Sequence, residues 1–437
     1  MNKILFLFIS FNFALLAQNN TIVLTMGDAV NLALDKNSEL KIAKMEVEKS
    51  EQKLREARSG LFPKLDLSGQ YQRYIDKPVI FLPPGSPFGP TLEIGSDNSY
   101  LAAAQLSVSL FALPLYEGIA LASDALEIAQ QNFVSTKNKV VGDAKKSFLA
   151  AILTRETKDV MQQSLKNAED NFENIKRLNS AGTLSNYDVL RAEVQVENLK
   201  PVVLQMENNY KLSLEALKVA IGLDANQNID VIGEIDFDES YKIPTEAEVI
   251  EELLQNNPTL AILEKQVKLN DRNVSLEQAA YFPSLAGFGN YQYQTQANDF
   301  KFSDYNWVKT FVLGLQLQIP IFNGFKTQSR VNQAEIGLNQ AVEQKRNLTE
   351  AIKTQALSVL YRIQQAVKRI EGQNKTVKTA QEGYEIAKQR LVNNVGTQLE
   401  INDAELALRQ AKLNRLQAIY DFKVAEADLE TVLGRIK

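Results

Sequence analysis

The sequence runs to 437 residues, long for one globular domain, with 48 Lys and Arg against 53 Asp and Glu for a formal net charge of −5. Cysteine and histidine are both absent. That excludes disulfides, thiolate nucleophiles, imidazole bases and ligands, and lipid attachment through an amino-terminal cysteine, and the acidic balance makes nucleic acid a poor partner.

The chain opens MNKILFLFISFNFALLAQ, where Lys3 precedes an apolar run from Ile4 to Ala17. Residues 1–17 therefore read as a secretory signal peptide, since a membrane-spanning helix needs about 20 apolar residues. Losing Lys3 takes the net charge from −5 to −6.

Beyond this leader the chain repeats itself. Asn37 to Gln72 lies over Asn257 to Gln292 at an offset of 220, pairing Phe62-Pro63 with Phe282-Pro283 and Tyr71-Gln72 with Tyr291-Gln292. Ala112 to Gly118 lies over Gln318 to Gly324 at 206, and Ala168 to Gly222 over Ala380 to Gly434 at 212. Residues 18–223 and 244–437 thus read as two tandem repeats joined by a connector at 224–243.

In chain order, helical spacing covers about Thr25 to Gly60, followed by strands at about 62–75 and 103–116. A proline-free helix from Gly118 to Gly182 comes next, then a tip turn at 182–185 and a helix from Ser185 to Ile221 that Pro201 is expected to kink. The second repeat gives a helix at Thr245 to Ala280, strands at about 282–294 and 311–322, a helix from Gly324 to Asn394, a tip turn at 394–397 and a helix from Thr397 to Leu433. The two proline-free spans, about 64 and 70 residues, would make helices on the order of 100 Å. The 36-residue stretches are about half as long, so two end to end match one long helix.

The strand segments change period from 3.6 to 2. Leu106, Val108, Leu110 and Ala112 alternate with Gln105, Ser107, Ser109 and the exception Phe111; Leu313, Leu315, Leu317 and Ile319 alternate with Gly314, Gln316 and Gln318. A small sheet with one face on a helix would give this pattern, and so would a membrane β-barrel, apolar toward lipid and polar toward a lumen. Twenty of the thirty-five Phe, Trp and Tyr fall in 62–116 and 281–325, which favours the barrel. Four strands cannot close one, so several chains would have to share it.

The tip turns recur as GTLSNYDVLRAE and NVGTQLEINDAE. Gly182 and Asn394 are the residues that tolerate positive φ, Ser185 with Asp188 has the spacing of a capping box, and so has Thr397 with Glu400. Asp403, about two turns into its helix, is not explained by capping. A ring of such acids about an oligomer axis would attract cations and hold off anions.

LFPKL and YFPSL at the strand starts, PLYEG and PIFNG at the strand exits, and the two tip signatures together resemble the TolC-like family of outer-membrane efflux proteins across essentially the whole mature chain. The resemblance implies a mainly α protein with a membrane β-barrel portion. It implies a homotrimer of two-hairpin subunits, with a twelve-stranded barrel in outer-membrane lipid and an α-helical tube in the periplasm. Its role would be a passive exit duct for an inner-membrane transporter, joined through a periplasmic adaptor, with no catalysis and no cofactor. Carried over residue by residue, it assigns adaptor contact to Gly182 and Asn394 and the acidic entrance gate to Glu400 and Asp403. Gly396 and Leu391 depart from the basic and aromatic gate residues of some members. The competing readings are an exported coiled-coil scaffold or adhesin without a barrel, and a carboxylate-based periplasmic hydrolase; the alternating strands speak against the first and the lack of a pocket signature against the second.

Overall fold

A computed structural model of the chain describes residues 21–393 and 395–435, so the leader read at 1–17 and the turn residue Asn394 lie outside the described residues. The elements run β1 (Ile22–Leu24), α1 (Met26–Lys36), α2 (Ser38–Ser59), β2 (Lys64–Arg73), β3 (Val79–Phe81), β4 (Thr91–Glu93), β5 (Asn98–Ala112), α3 (Leu113–Ser180) and α4 (Asn186–Ile221). They continue with β6 (Ile229–Val231), α5 (Glu246–Asn256), α6 (Pro258–Ala279), β7 (Ser284–Ala297), a short 3₁₀ turn, β8 (Val308–Gln318), α7 (Lys326–Val392) and α8 (Gln398–Leu433). Two compact units form among the described residues: one from 21–42, 134–258, 350–393 and 395–435, the other from 43–133 and 259–349.

The second unit holds an antiparallel sheet in the order β2-β5-β7-β8. Its register sets Leu65, Leu106, Gly289 and Leu313 side by side on one face, and Asp66, Gln105, Asn290 and Val312 on the other. The face that carries Leu313, Leu315 and Leu317 also carries Tyr71, Tyr100, Tyr291 and Tyr293, while Gln70, Gln72, Gln292 and Gln316 point the opposite way. Phe111, the exception to the alternation, follows a β-bulge between Ser109 and Phe111, which shifts the register and brings Phe111 opposite Leu285 on the apolar face. On the polar face Phe288 lies flat over Gly314, where an added Cβ would come within 2.6 Å of the ring. Among the described residues the apolar face has no partner: Leu67 is 83% exposed and Leu315 70%.

The strands sit two to five residues from where alternation alone sets them. Residues 62–63 stay outside β2, β5 reaches back to Asn98, and β7 and β8 extend to Ala297 and from Val308. At 113–116 the expected strand is already helix, because Leu113-Pro114 opens α3 with proline in the first turn, where its missing N–H costs nothing. In the second half α7 starts only at Lys326, after Gly324 and Phe325 at φ 65° and 64°. In the same unit, Asp124 on α3 is buried between Lys268 at 2.7 Å and Arg272 at 3.3 Å of α6, and Glu127 pairs with Lys265 at 2.8 Å.

The expected 36-residue helices at 25–60 and 245–280 are each two helices, with the breaks in the first unit. Asn37 breaks the first, its side-chain oxygen accepting from the N–H groups of Glu39 and Leu40 to start α2. Pro258 breaks the second, since the residue before proline is pushed out of the α region. Each break receives a helix end. Asn37 donates to the Ala220 carbonyl and Asn257 to that of Val432, while the left-handed C-caps Gly222 and Gly434 pack against Lys36 and Asn256 so closely that neither has room for a Cβ. Matching capping boxes, Thr25 with Asp28 and Thr245 with Glu248, start α1 and α5. The parallel pair β1–β6 ties the start of the described chain to the connector, and Phe237 and Tyr241 set their rings edge-on to Phe422 at 4.9 Å. α4 stays helical on both sides of Pro201.

Candidate functional site

The two tip turns lie in the first unit and are built differently. At the first, α3 ends in a Schellman turn: Thr183 N–H donates to the Leu178 carbonyl at 3.0 Å and Gly182 N–H to that of Asn179 at 2.8 Å, with Gly182 at φ 75°. Asn179 steadies the loop by donating to the Leu184 carbonyl at 2.8 Å. Ser185 then starts α4 with both bonds of a capping box, its hydroxyl accepting from Asp188 N–H at 3.3 Å and its own N–H donating to the Asp188 carboxylate at 3.1 Å. Around Gly182 the space is open.

At the second tip, Val395 N–H donates to the Arg390 carbonyl at 3.0 Å, the bond that Thr183 and Leu178 make 212 positions earlier. Thr397 accepts from Glu400 N–H at 3.2 Å, but the reciprocal half of the expected box is missing. The Glu400 carboxylate instead accepts from Arg390 at 3.2 Å, and the same guanidinium donates to the Val395 carbonyl at 3.1 Å. The cause is one substitution between the copies. Position 178 is Leu, so Asp188 has only its cap to bind; position 390 is Arg, and the longer Glu400 side chain turns to it. Glu400 and Asp403 are both exposed, with Asp403 outside any ion pair among the described residues.

Sequence reasoning missed the helix contacts just behind the tips. Tyr384, Ala387 and Leu391 of α7 close on Ile401 and Leu408 of α8, so Leu391 is core. Beside that cluster Ser164 of α3, 3% exposed, donates to Glu405 and accepts from Arg409 at 3.0 Å, and Arg409 also pairs with Glu405 at 2.9 Å. Asn171 donates to Gln398 at 3.3 Å, and a cavity of about 270 Å³ bounded by Asn171, Arg177, Tyr384 and Lys388 opens next to it. The available signal was divergence between the copies: Arg409 falls at the place of Glu197, and Glu197 is exposed and bound to Lys200 instead. Burial and the neighbouring Glu405 push the Tyr384 hydroxyl above its ordinary value. Among the described residues there is no cluster of acids that could hold a metal. The second tip presents exposed charge, the Arg390–Glu400 pair and Asp403, unpaired among the described residues.

The family model described as outer membrane efflux protein matches residues 29–223 and 249–435, one stretch in each half. A probable efflux pump outer membrane protein, TtgC of Pseudomonas putida, is 22% identical over 409 residues, covering 93% of this chain and 82% of that protein. Among solved structures, the CmeC outer membrane channel of Campylobacter jejuni superposes with a TM-score of 0.76 at 18% identity, covering 94% of this chain and 85% of that one. The open state of the MtrE outer membrane channel of Neisseria gonorrhoeae does so with a TM-score of 0.73 at 19% identity, over 94% and 88%.

Proposed function

The chain belongs to the outer membrane efflux protein family, and from that premise we propose that it is the subunit of a trimeric duct through which an inner-membrane transporter, joined by a periplasmic adaptor, discharges its cargo. One observation carries the reading: a four-stranded sheet with an apolar outer face and two unpaired edges, β2 and β8. Lipid offers no hydrogen bonds to such edges, so copies of the chain must close them. Two copies would give eight strands, a barrel whose interior side chains fill it; three give twelve and leave a lumen, lined here by Gln70, Gln72, Gln292 and Gln316. The helices then form the periplasmic tube, with the tips as its entrance.

In this assembly Glu400 and Asp403 of three copies form the cation-attracting entrance gate, and the turns at Gly182 and Asn394 meet the adaptor. The duct itself is passive and needs no cofactor. Detergent-extracted protein is expected to run as a trimer and to conduct in planar bilayers; a soluble, detergent-independent fibre would overturn the reading. Replacing Glu400 and Asp403 together by Ala should weaken block of the single-channel current by a polyvalent cation while trimers persist, and unchanged block would remove the gate from these residues. A bulky residue at Gly182 should impair transport in cells that supply pump and adaptor, without loss of the trimer.

A further inference from the structure

The apolar face of the sheet carries two cations, and both stand at its loop-side rim. Lys309 lies opposite Tyr293, in a row that continues through Ala102 to Gly69. Arg73, opposite Asn98, follows Tyr71 by two residues and so shares its face. Both side chains are exposed. Among the described residues neither has a carboxylate partner, whereas Lys64 on the polar face is neutralised by Asp66 at 3.3 Å and Lys77 in the loop by Asp97 at 2.7 Å. Among the loop acids, Asp299 accepts from the Lys301 N–H and Asp304 from the Ser303 hydroxyl, and Asp76, three residues after Arg73, forms no ion pair with it among the described residues.

A bare cation in the middle of a lipid-facing surface costs about 2–4 kcal/mol and little at the membrane interface. The apolar run on β8 places Lys309 at that interface. From Phe311 through Leu313, Leu315 and Leu317 to Ile319, one residue past the strand, is eight residue steps, about 27 Å of extended chain, or about 20 Å of membrane depth at the usual barrel tilt. That accounts for most of an apolar band about 25 Å tall, so the next outward position, Lys309, reaches the headgroups. The aromatic belt agrees: Tyr293 stacks on Trp307 at 4.7 Å, Tyr71 on Tyr100 at 5.0 Å, and the Arg73 guanidinium sits 5.9 Å over Phe300.

From this placement, and resting on the membrane-duct reading above, we infer that Lys309 and Arg73 bind the phosphate groups of lipid headgroups in the surrounding leaflet. β2 and β8 are the two edge strands, so in a closed trimer Lys309 of one copy and Arg73 of the next flank each seam. The rim is thereby a repeated site for phosphorylated lipid, with the tyrosines and Trp307 as its apolar floor.

Trp307 is the only tryptophan in the chain, and it stacks on the ladder partner of Lys309. Its emission in the detergent-extracted, full-length protein reports on the site during titration with mixed micelles that contain a diphosphorylated glucosamine lipid, the same lipid stripped of phosphate, or inorganic phosphate alone. The phosphorylated lipid should saturate the emission change at a concentration at least tenfold below the stripped one, and inorganic phosphate should leave it unchanged. Lys309→Gln and Arg73→Gln should each weaken the phosphorylated lipid about fivefold. Equal half-saturation for the two lipids, or full response to inorganic phosphate, would overturn the inference without use of a variant. Unchanged half-saturation in folded, trimeric variants would overturn the residue assignment. Wild-type protein that conducts in bilayers but ignores phosphate refutes only the headgroup site; protein that never inserts refutes the duct as well.

Discussion

Three glycines with the same backbone sign are held for different reasons. Gly182, Gly222 and Gly434 all have φ near 70°, where a side chain costs about 1–2 kcal/mol. Gly182 has open space around it, so Gly182→Ala should cost only that backbone penalty. At Gly222 an added Cβ would meet the Lys36 carbonyl oxygen at 2.5 Å, and Gly222→Ala should destabilise by about 3 kcal/mol or more. Thermal melts of the two variants check the ranking, and equal losses would mean that the α1–α2 break yields. In the sequence both glycines read alike, because only the fold reveals what each one faces. The S-x-x-D spacing at Ser185 is legible because both partners lie within one turn. The T-x-x-E spacing at Thr397 misleads because Arg390, ten residues away, competes for Glu400.

Carboxylates between helices give the protein an acid limit. Lys265 donates to Glu127 and Arg435 to Glu252, and both carboxyls are held below their ordinary value of 4.5. A carboxyl depressed in the folded state contributes stability at pH above its unfolded value, and that contribution disappears as pH falls through the folded one. The melting temperature of wild type should therefore exceed that of Glu252→Gln at pH 7, and the gap should close as pH falls from 4.5 through the lowered folded-state value; a constant gap would show that the charge of Glu252 is not what stabilises the contact.

At the scale of elements, periodicity showed the long helices because 60 or more residues without proline leave little else for the chain to do. It overran the break at 257, although Pro258 was in plain view, and the break at Asn37, which has no proline to mark it. The strand faces were legible down to single residues as far as Ser109; past it the bulge moves Phe111 to the apolar face and Ala112, opposite Ser284, to the polar one. Those faces make opposite predictions for one kind of mutation. In the proposed barrel, Leu313→Arg puts a charge mid-band on the apolar face and should cost about 2–4 kcal/mol, seen as trimer dissociation at lower temperature. Gln316→Arg, on the polar face, should leave trimer stability near wild type and lower cation conductance.

At the scale of the whole molecule, duplication is what the sequence displayed most openly, through three offsets that map one half on the other. The number of copies in the assembly was not written there by pattern, since a ladder partner in another chain has the same local preferences as one in the same chain. The free edges of β2 and β8 nonetheless have an outcome that reaches into inheritance. Successive N–H groups of a strand point to opposite sides, so one of Leu67→Pro and Ser68→Pro spoils the outer edge of β2 while sparing its ladder to β5. In the proposed trimer such a subunit would still offer β8 to a neighbour, and so would be incorporated and leave one seam open. Co-expressed in equal amount with wild type, it should reduce intact rings to about one in eight, a dominant loss of efflux from a single defective allele.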